Sequence, residues 1–217
     1  MFKKIMLGAA LLISTNLMAQ AQSSLSAEKA IERLNLAAQL VDYGYETASA
    51  LPLIQAVQIY QELNLHPADD GQRPVAESSD EAQEEQHHAR TPEQLLADAT
   101  EFADGDQVLL ALIGKCKENT RSSSAGAVKY YDCIKAQGTH YKNVTLNGGE
   151  NAFVCLYGDG SSDLDIYLYD ENSHEIDQNT SAGDKCSFII HANDTIIMNI
   201  KIVNRGHVEN SYTLIVN

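Results

Sequence analysis

At Gly126 the hydrophobic repeat of this chain changes, and that change limits its fold more than any other feature. Before it, apolar residues recur every three or four positions, as on one face of a helix. After it they alternate, and turn residues arrive every eight to twelve or so positions, the mark of an all-β sandwich. Strands are expected at 128–134, 141–146, 152–157, 164–169, 186–190, 195–203 and 211–216. In the clearest of them Ile196, Met198, Ile200 and Ile202 share one face and Asn199 and Lys201 the other, so one side is buried and one is wet. Asn147-Gly148-Gly149, Gly158-Asp159-Gly160 and Asn204-Arg205-Gly206 supply turns.

In the first half, Ile31, Leu34, Ala38, Val41 and Tyr45 form one helical stripe, with Ser26 as N-cap and Gly44 as the expected stop. A second helix is expected from about Ser49, with Pro52 in its first turn and Leu53, Val57, Tyr60 and Leu63 as its stripe. Thr91-Pro92-Glu93-Gln94 reads as a capping box opening a third helix through Leu95, Leu96 and Ala99, and a fourth runs from Asp106 through Val108, Leu109, Leu112 and Ile113. Between these pairs, residues 66–90 carry seven acids, Asp69, Asp70, Glu77, Asp80, Glu81, Glu84 and Glu85, among Pro, Gly, Ser and Gln. Such a stretch buries too little apolar surface to offset its ordering entropy, so a disordered acidic linker is expected. The chain therefore reads as α+β: a helical hairpin at 22–65, the linker at 66–90, a helical segment at 91–127 and an antiparallel β-sandwich at 128–217.

Residues 1–21 read as a secretory signal peptide: Lys3 and Lys4, an apolar run from Ile5 to Ile13, and small residues for cleavage after Ala19 or Ala21. The run is about half the roughly 20 residues that span a bilayer, so no membrane insertion is expected after cleavage, and the mature chain is expected in the periplasm or outside the cell. Thirty acids against 15 Lys and Arg give a net charge of -15, a field that disfavours nucleic acid and anionic membrane surfaces. An exported chain meets an oxidising environment, so Cys116, Cys133, Cys155 and Cys186 are expected to pair. Spacing does not choose among the three connectivities; Cys155 with Cys186 and Cys116 with Cys133 are favoured, and the absence of any CxxC argues against zinc.

The densest polar constellation is Asp159, Ser161, Asp163 and Asp165, followed by Asp170 and Glu171. Clustered hard oxygens suit Ca²⁺, with Asp159, Asp163, Asp165 and Asp170 as candidate ligands; the alternative is that they accept hydrogen bonds from turn N–H groups. Tyr167 and Tyr169 share the outward strand face with Asp163 and Asp165 and are candidates for stacking on a sugar ring.

The run Gly158-Asp159-Gly160-Ser161-Ser162-Asp163-Leu164-Asp165-Ile166-Tyr167-Leu168-Tyr169-Asp170-Glu171-Asn172, with Cys186-Ser187-Phe188, Ile200-Lys201-Ile202-Val203-Asn204-Arg205-Gly206 and Ser211-Tyr212-Thr213-Leu214, resembles the bacterial pre-peptidase C-terminal domain family over 128–217. The resemblance implies a jelly-roll-like sandwich, generally non-catalytic, that assists secretion, binds a polymer or stabilises a partner, with calcium in some members. Ser161 and Ser162 depart from the Asp and Thr common there, which removes one carboxylate, and the Pro and Gly usual after Phe188 are absent. The forepart, roughly 25 to 118, resembles that of exported bacterial proteins ending in such a sandwich.

Glu84, His87 and His88 would share a face only if their segment were helical, and His140, His174, His191 and His207 have no nucleophile motif beside them. Gly158-x-Gly160 precedes a strand and is no dinucleotide loop. Two readings follow: an exported non-catalytic binding or stabilising protein with a protein or polysaccharide ligand, or a metal-dependent secreted hydrolase centred on Asp159 to Asp165.

Overall fold

The computed structural model describes residues 26–67, 75–76, 90–118, 127–149 and 151–217. The expected signal peptide, the linker acids and the Glu84, His87 and His88 group lie outside the described residues.

Helix α1 (Ala27–Glu46) starts where Ser26 Oγ accepts from Lys29 N, and α2 (Ala50–Glu62) follows after a three-residue turn. Gly44 does not stop α1. It lies inside the helix, where a Cβ would come within 2.5 Å of Leu53 Cδ2, so its lack of a side chain lets α2 cross closely. Helix α3 (Pro92–Phe102) opens as expected, with Thr91 Oγ1 accepting from Gln94 N at 3.2 Å. Helix α4 (Gln107–Glu118) is capped by the Asp106 carboxylate, which accepts from Val108 N and Leu109 N. Leu53, Ile54, Val57, Leu95, Leu96 and Ile113 close the core among these helices.

The strands are β1 (His66–Pro67), β2 (Val75–Ala76), β3 (Val128–Ile134), β4 (Thr139–Leu146), β5 (Asn151–Gly158), β6 (Leu164–Tyr169), β7 (Glu175–Asn179), β8 (Lys185–His191), β9 (Ile196–Asn204) and β10 (Asn210–Val216). They form two sheets, β1-β3-β10-β5-β8 (sheet A) and β2-β4-β9-β6-β7 (sheet B). All pairings are antiparallel except β1 with β3. The protein is thus α+β, a helical part followed by a β-sandwich. β1 and β2 both fall in the 66–90 stretch expected to be a disordered tether, and these four residues pair with β3 and β4 at the edges of the two sheets. β7 was not legible in sequence because four of its five residues are exposed and it carries no apolar alternation.

The inward faces interdigitate through Leu146, Leu156, Ile166, Leu168, Met198, Ile200 and Leu214. The outward face of sheet A is covered as well: Ala27, Ala30 and Leu34 of α1 cluster with Phe153, Cys155 and Ile215. β5 is therefore buried on both sides, which explains its unbroken apolar run from Ala152 to Leu156. Each large side chain so buried contributes about 1.5–3 kcal/mol, enough for a few of them to seat the helices.

The expected disulfides are absent; all four cysteines are free. Cys155 pairs in register with Ser187 and Cys186 with Leu156, one step apart on neighbouring strands. Side chains one step apart point to opposite faces, so Cys155 packs under α1 while Cys186 packs into the inter-sheet core. Cys116 sits in the helical core, whereas Cys133 lies on β3 opposite Ser211.

Candidate functional site

With helices on sheet A, the polar outward face of sheet B is the surface that carries organised aromatic side chains. Register places Tyr141 of β4, Lys201 of β9, Tyr167 of β6 and Gln178 of β7 in one row. Asn143, Asn199, Tyr169 and Glu175 form the next row. The Tyr167 and Tyr169 rings are nearly parallel, 13° between planes, with centroids 6.4 Å apart. That distance is close to the roughly 6.5–7 Å between side chains two apart on a strand, so the strand itself sets the spacing.

What holds Tyr167 is a turn residue. Its hydroxyl donates to Asp165 Oδ2 at 3.0 Å and accepts from Arg205 Nη2 at 2.9 Å, while Arg205 Nε donates to the same Asp165 oxygen at 2.6 Å. The outer end of the ring is thus tied to the start of β6 and to the turn after β9. Arg205 is itself placed by its N–H, which donates to the Asp163 carbonyl at 2.8 Å. Gly206 beside it is pressed on Ser162, whose Cβ would be 2.4 Å from any added Cβ. Lys201 Nζ lies between two rings, 6.0 Å from the Tyr141 centroid and 5.7 Å from that of Tyr167.

The candidate calcium ligands are spent on separate local bonds. Asp159 accepts from Ser161 N and Ser211 N, and Asp163 from Gly183 N at 2.8 Å. Asp165 holds Tyr167 and Arg205, and its side chain is 7% exposed. Asp170 accepts from the N–H groups of His174 and Asn172 and from the His174 ring; the His174 N–H first of all lowers its carboxyl below the ordinary carboxylate range. Calcium takes six to eight oxygens at one point. Among the described residues no group of three or more His, Cys, Asp or Glu side chains is placed so that it could hold a metal ion.

Sequence reasoning missed the residues that build the turns around this site. Asp184 is buried and accepts from Gly160 N at 2.5 Å and Asn210 Nδ2 at 3.0 Å, while its carbonyl accepts from Gly158 N. Asn204 is fully buried, donates to the carbonyls of Ile134 and Val208, and accepts from Gly206 N and the Ser162 hydroxyl. Asn204 was read only as part of a turn and Asp184 was given no role, and neither position carries a signal that separates a buried polar residue from a solvated one. Tyr141 lay in an expected strand and Lys201 on an expected wet face; what neighbours them across the sheet was not available from spacing.

Elsewhere, His140 Nδ1 meets the Tyr212 hydroxyl at 2.9 Å inside the sandwich, and burial holds its pKa below the ordinary value despite Asp132 nearby. Among the described residues its ring nitrogen meets only this hydroxyl and, at 3.9 Å, the Asp132 carboxylate. A cleft of about 340 Å³ is lined by Val128, Tyr130, Lys142, Val144 and Val216 among others. Among the described residues no helix is long and apolar enough to cross a membrane.

No family model matches this chain, and no curated protein matches it. Among solved structures it is similar to the pre-peptidase C-terminal domain of a collagenase from Bacillus anthracis, at 11% identity and a TM-score of 0.34, over 41% of this chain and 87% of that one. It is similar also to a periplasmic inhibitor of g-type lysozyme from Aeromonas hydrophila, at 12% identity and 0.34, over 43% and 87%. A third likeness, to a mitogen derived from Yersinia pseudotuberculosis, has 13% identity and 0.29, over 42% and 85%. At such scores none of these bears on function.

Proposed function

We propose that this chain is an exported, non-catalytic binding protein whose β-sandwich presents the outward face of sheet B to a saccharide polymer. The observation that carries the reading is the parallel pair Tyr167 and Tyr169 on β6, the first of them held by Asp165 and Arg205. A sugar ring offers C–H bonds on one face and hydroxyls at its rim. Flat, pre-ordered aromatic rings take the first at little entropic penalty, and amide side chains such as Asn143, Asn199 and Gln178 pair with the second. Export rests on the charged and apolar segments that open the sequence, and the Asp163-Leu164-Asp165 strand start supports a kinship with pre-peptidase C-terminal domains. The engagement of Asp159, Asp163 and Asp165 in separate local bonds favours this reading over a hydrolase centred on them.

The test is affinity electrophoresis and calorimetry of the mature chain against a panel of neutral and charged polysaccharides. Retention by at least one polymer is expected, weakened about tenfold or more in Tyr167→Ala and in Tyr169→Ala, with folding unchanged by circular dichroism. Binding that ignores both substitutions would reject this face.

A further inference from the structure

The outward side of β3 carries a lysine into the seam between helices and sheet. Lys129 is only 2% exposed. Its Nζ lies 3.7 Å from the centre of the Tyr60 ring on α2 and 5.0 Å from that of Tyr131, two residues along β3. Among the described residues the amine makes no ion pair; these rings are its neighbours. The Tyr131 hydroxyl is buried and, among the described residues, has no hydrogen-bond partner, so the lysine does not donate to it. The charges that reach it come from further off: Glu93 on α3 acts on Lys129, and Asp42 and Arg90 act on Tyr60.

We propose that Lys129 makes the seam proton-linked: above neutral pH the amine is neutral while α2 is seated on β3, and unseating the helical part takes up one proton. Removing an ammonium from water without an acceptor disfavours its charged form, and the attraction of the two rings for a cation offsets only part of that. Burial pulls the Lys129 pKa down to about 7 from 10.5. Tyr60 and Tyr131 are pushed up by burial and stay protonated across that range.

The sign follows from the proton count. When water reaches the amine its pKa returns to about 10.4, so between pH 7 and 10 the opened state binds more protons than the seated one, and each unit of rising pH favours seating about tenfold. Below about 7 both states are protonated and the effect levels off. Opening uncovers Phe153, Cys155 and Ile215, the sheet side of the same seam. An exported chain, exposed to the pH of its surroundings, would sense it here.

Two measurements on the full chain decide this. With ¹³C-labelled lysine, one Cε resonance should titrate near pH 7, identified by a ring-current shift that is lost in Tyr60→Leu. Denaturant midpoints should rise from about pH 7 to pH 9 in the native sequence and flatten in Lys129→Met. Lysine midpoints all near 10 or above, or an unchanged slope in Lys129→Met, would overturn the proposal. If Lys129→Met does not fold, the titration of the native sequence still decides.

Discussion

Arg205 Nε donates to Asp165 Oδ2 at 2.6 Å, tying the turn after β9 to the outward face of β6. Asp165 is nearly buried while Arg205 is half exposed, so removing the arginine leaves a carboxylate short of its strongest donor. Loss of a charged hydrogen bond is worth about 1.5–3 kcal/mol when buried, and solvent on the arginine side brings that nearer to 1. Arg205→Ala should therefore lower stability by about 1 kcal/mol in urea denaturation and weaken saccharide binding by freeing the Tyr167 ring. Unchanged stability and unchanged binding together would mean that the clamp does not matter.

Gly44→Ala sets helix propensity against packing. Alanine gains roughly 0.5–1 kcal/mol in a helix interior, yet its Cβ meets the fully buried side chain of Leu53, which must shift within the packed core. Overpacking typically costs about 1–3 kcal/mol, so a net loss of roughly 1–2 is expected. In the Gly44→Ala, Leu53→Ala double variant the loss should be smaller than the sum of the two single losses, as contacting residues couple. Strict additivity in thermal denaturation would contradict the contact.

The thiols supply a chemical check. Burial pushes Cys155 and Cys186 up to about 12 and Cys133 up to about 11, so little reactive thiolate exists at neutral pH. Native protein should react slowly with iodoacetamide, and unreduced protein unfolded in guanidinium should take up four adducts by mass spectrometry. Two adducts would reveal one bridge and contradict the four free thiols.

Calcium should leave the melting temperature where chelator leaves it, because the four candidate aspartates are already engaged by N–H groups, Tyr167 and Arg205. Asp163→Asn should shift both curves alike, through the weakened bond to Gly183 N. A calcium-dependent rise that disappears in Asp163→Asn would restore the metal reading.

Much of the sandwich was legible because alternation is a local property. Each of the seven expected strands appears within a few residues of its place, since inward Ile, Leu, Met and Val leave the pleat one buried side. The Thr91 cap and the α1 stripe were readable for the same reason, as their partners lie within a turn or two in sequence. Tyr167 and Tyr169 could be assigned to a shared outward face, though not to a clamp.

The amino-acid sequence by itself determined where the chain coils, where its seven apolar strands extend, and which side of those elements is greasy, because those depend on neighbours a few positions away. Tertiary structure alone decided that Cys155 and Cys186 turn their backs on one another, that Gly44 admits Leu53, that Arg205 grips β6, and that Lys129 is sealed beneath Tyr60. Each of those relations joins positions whose meeting depends on which elements pack together, and a side chain's solvent exposure and proton affinity follow from that packing.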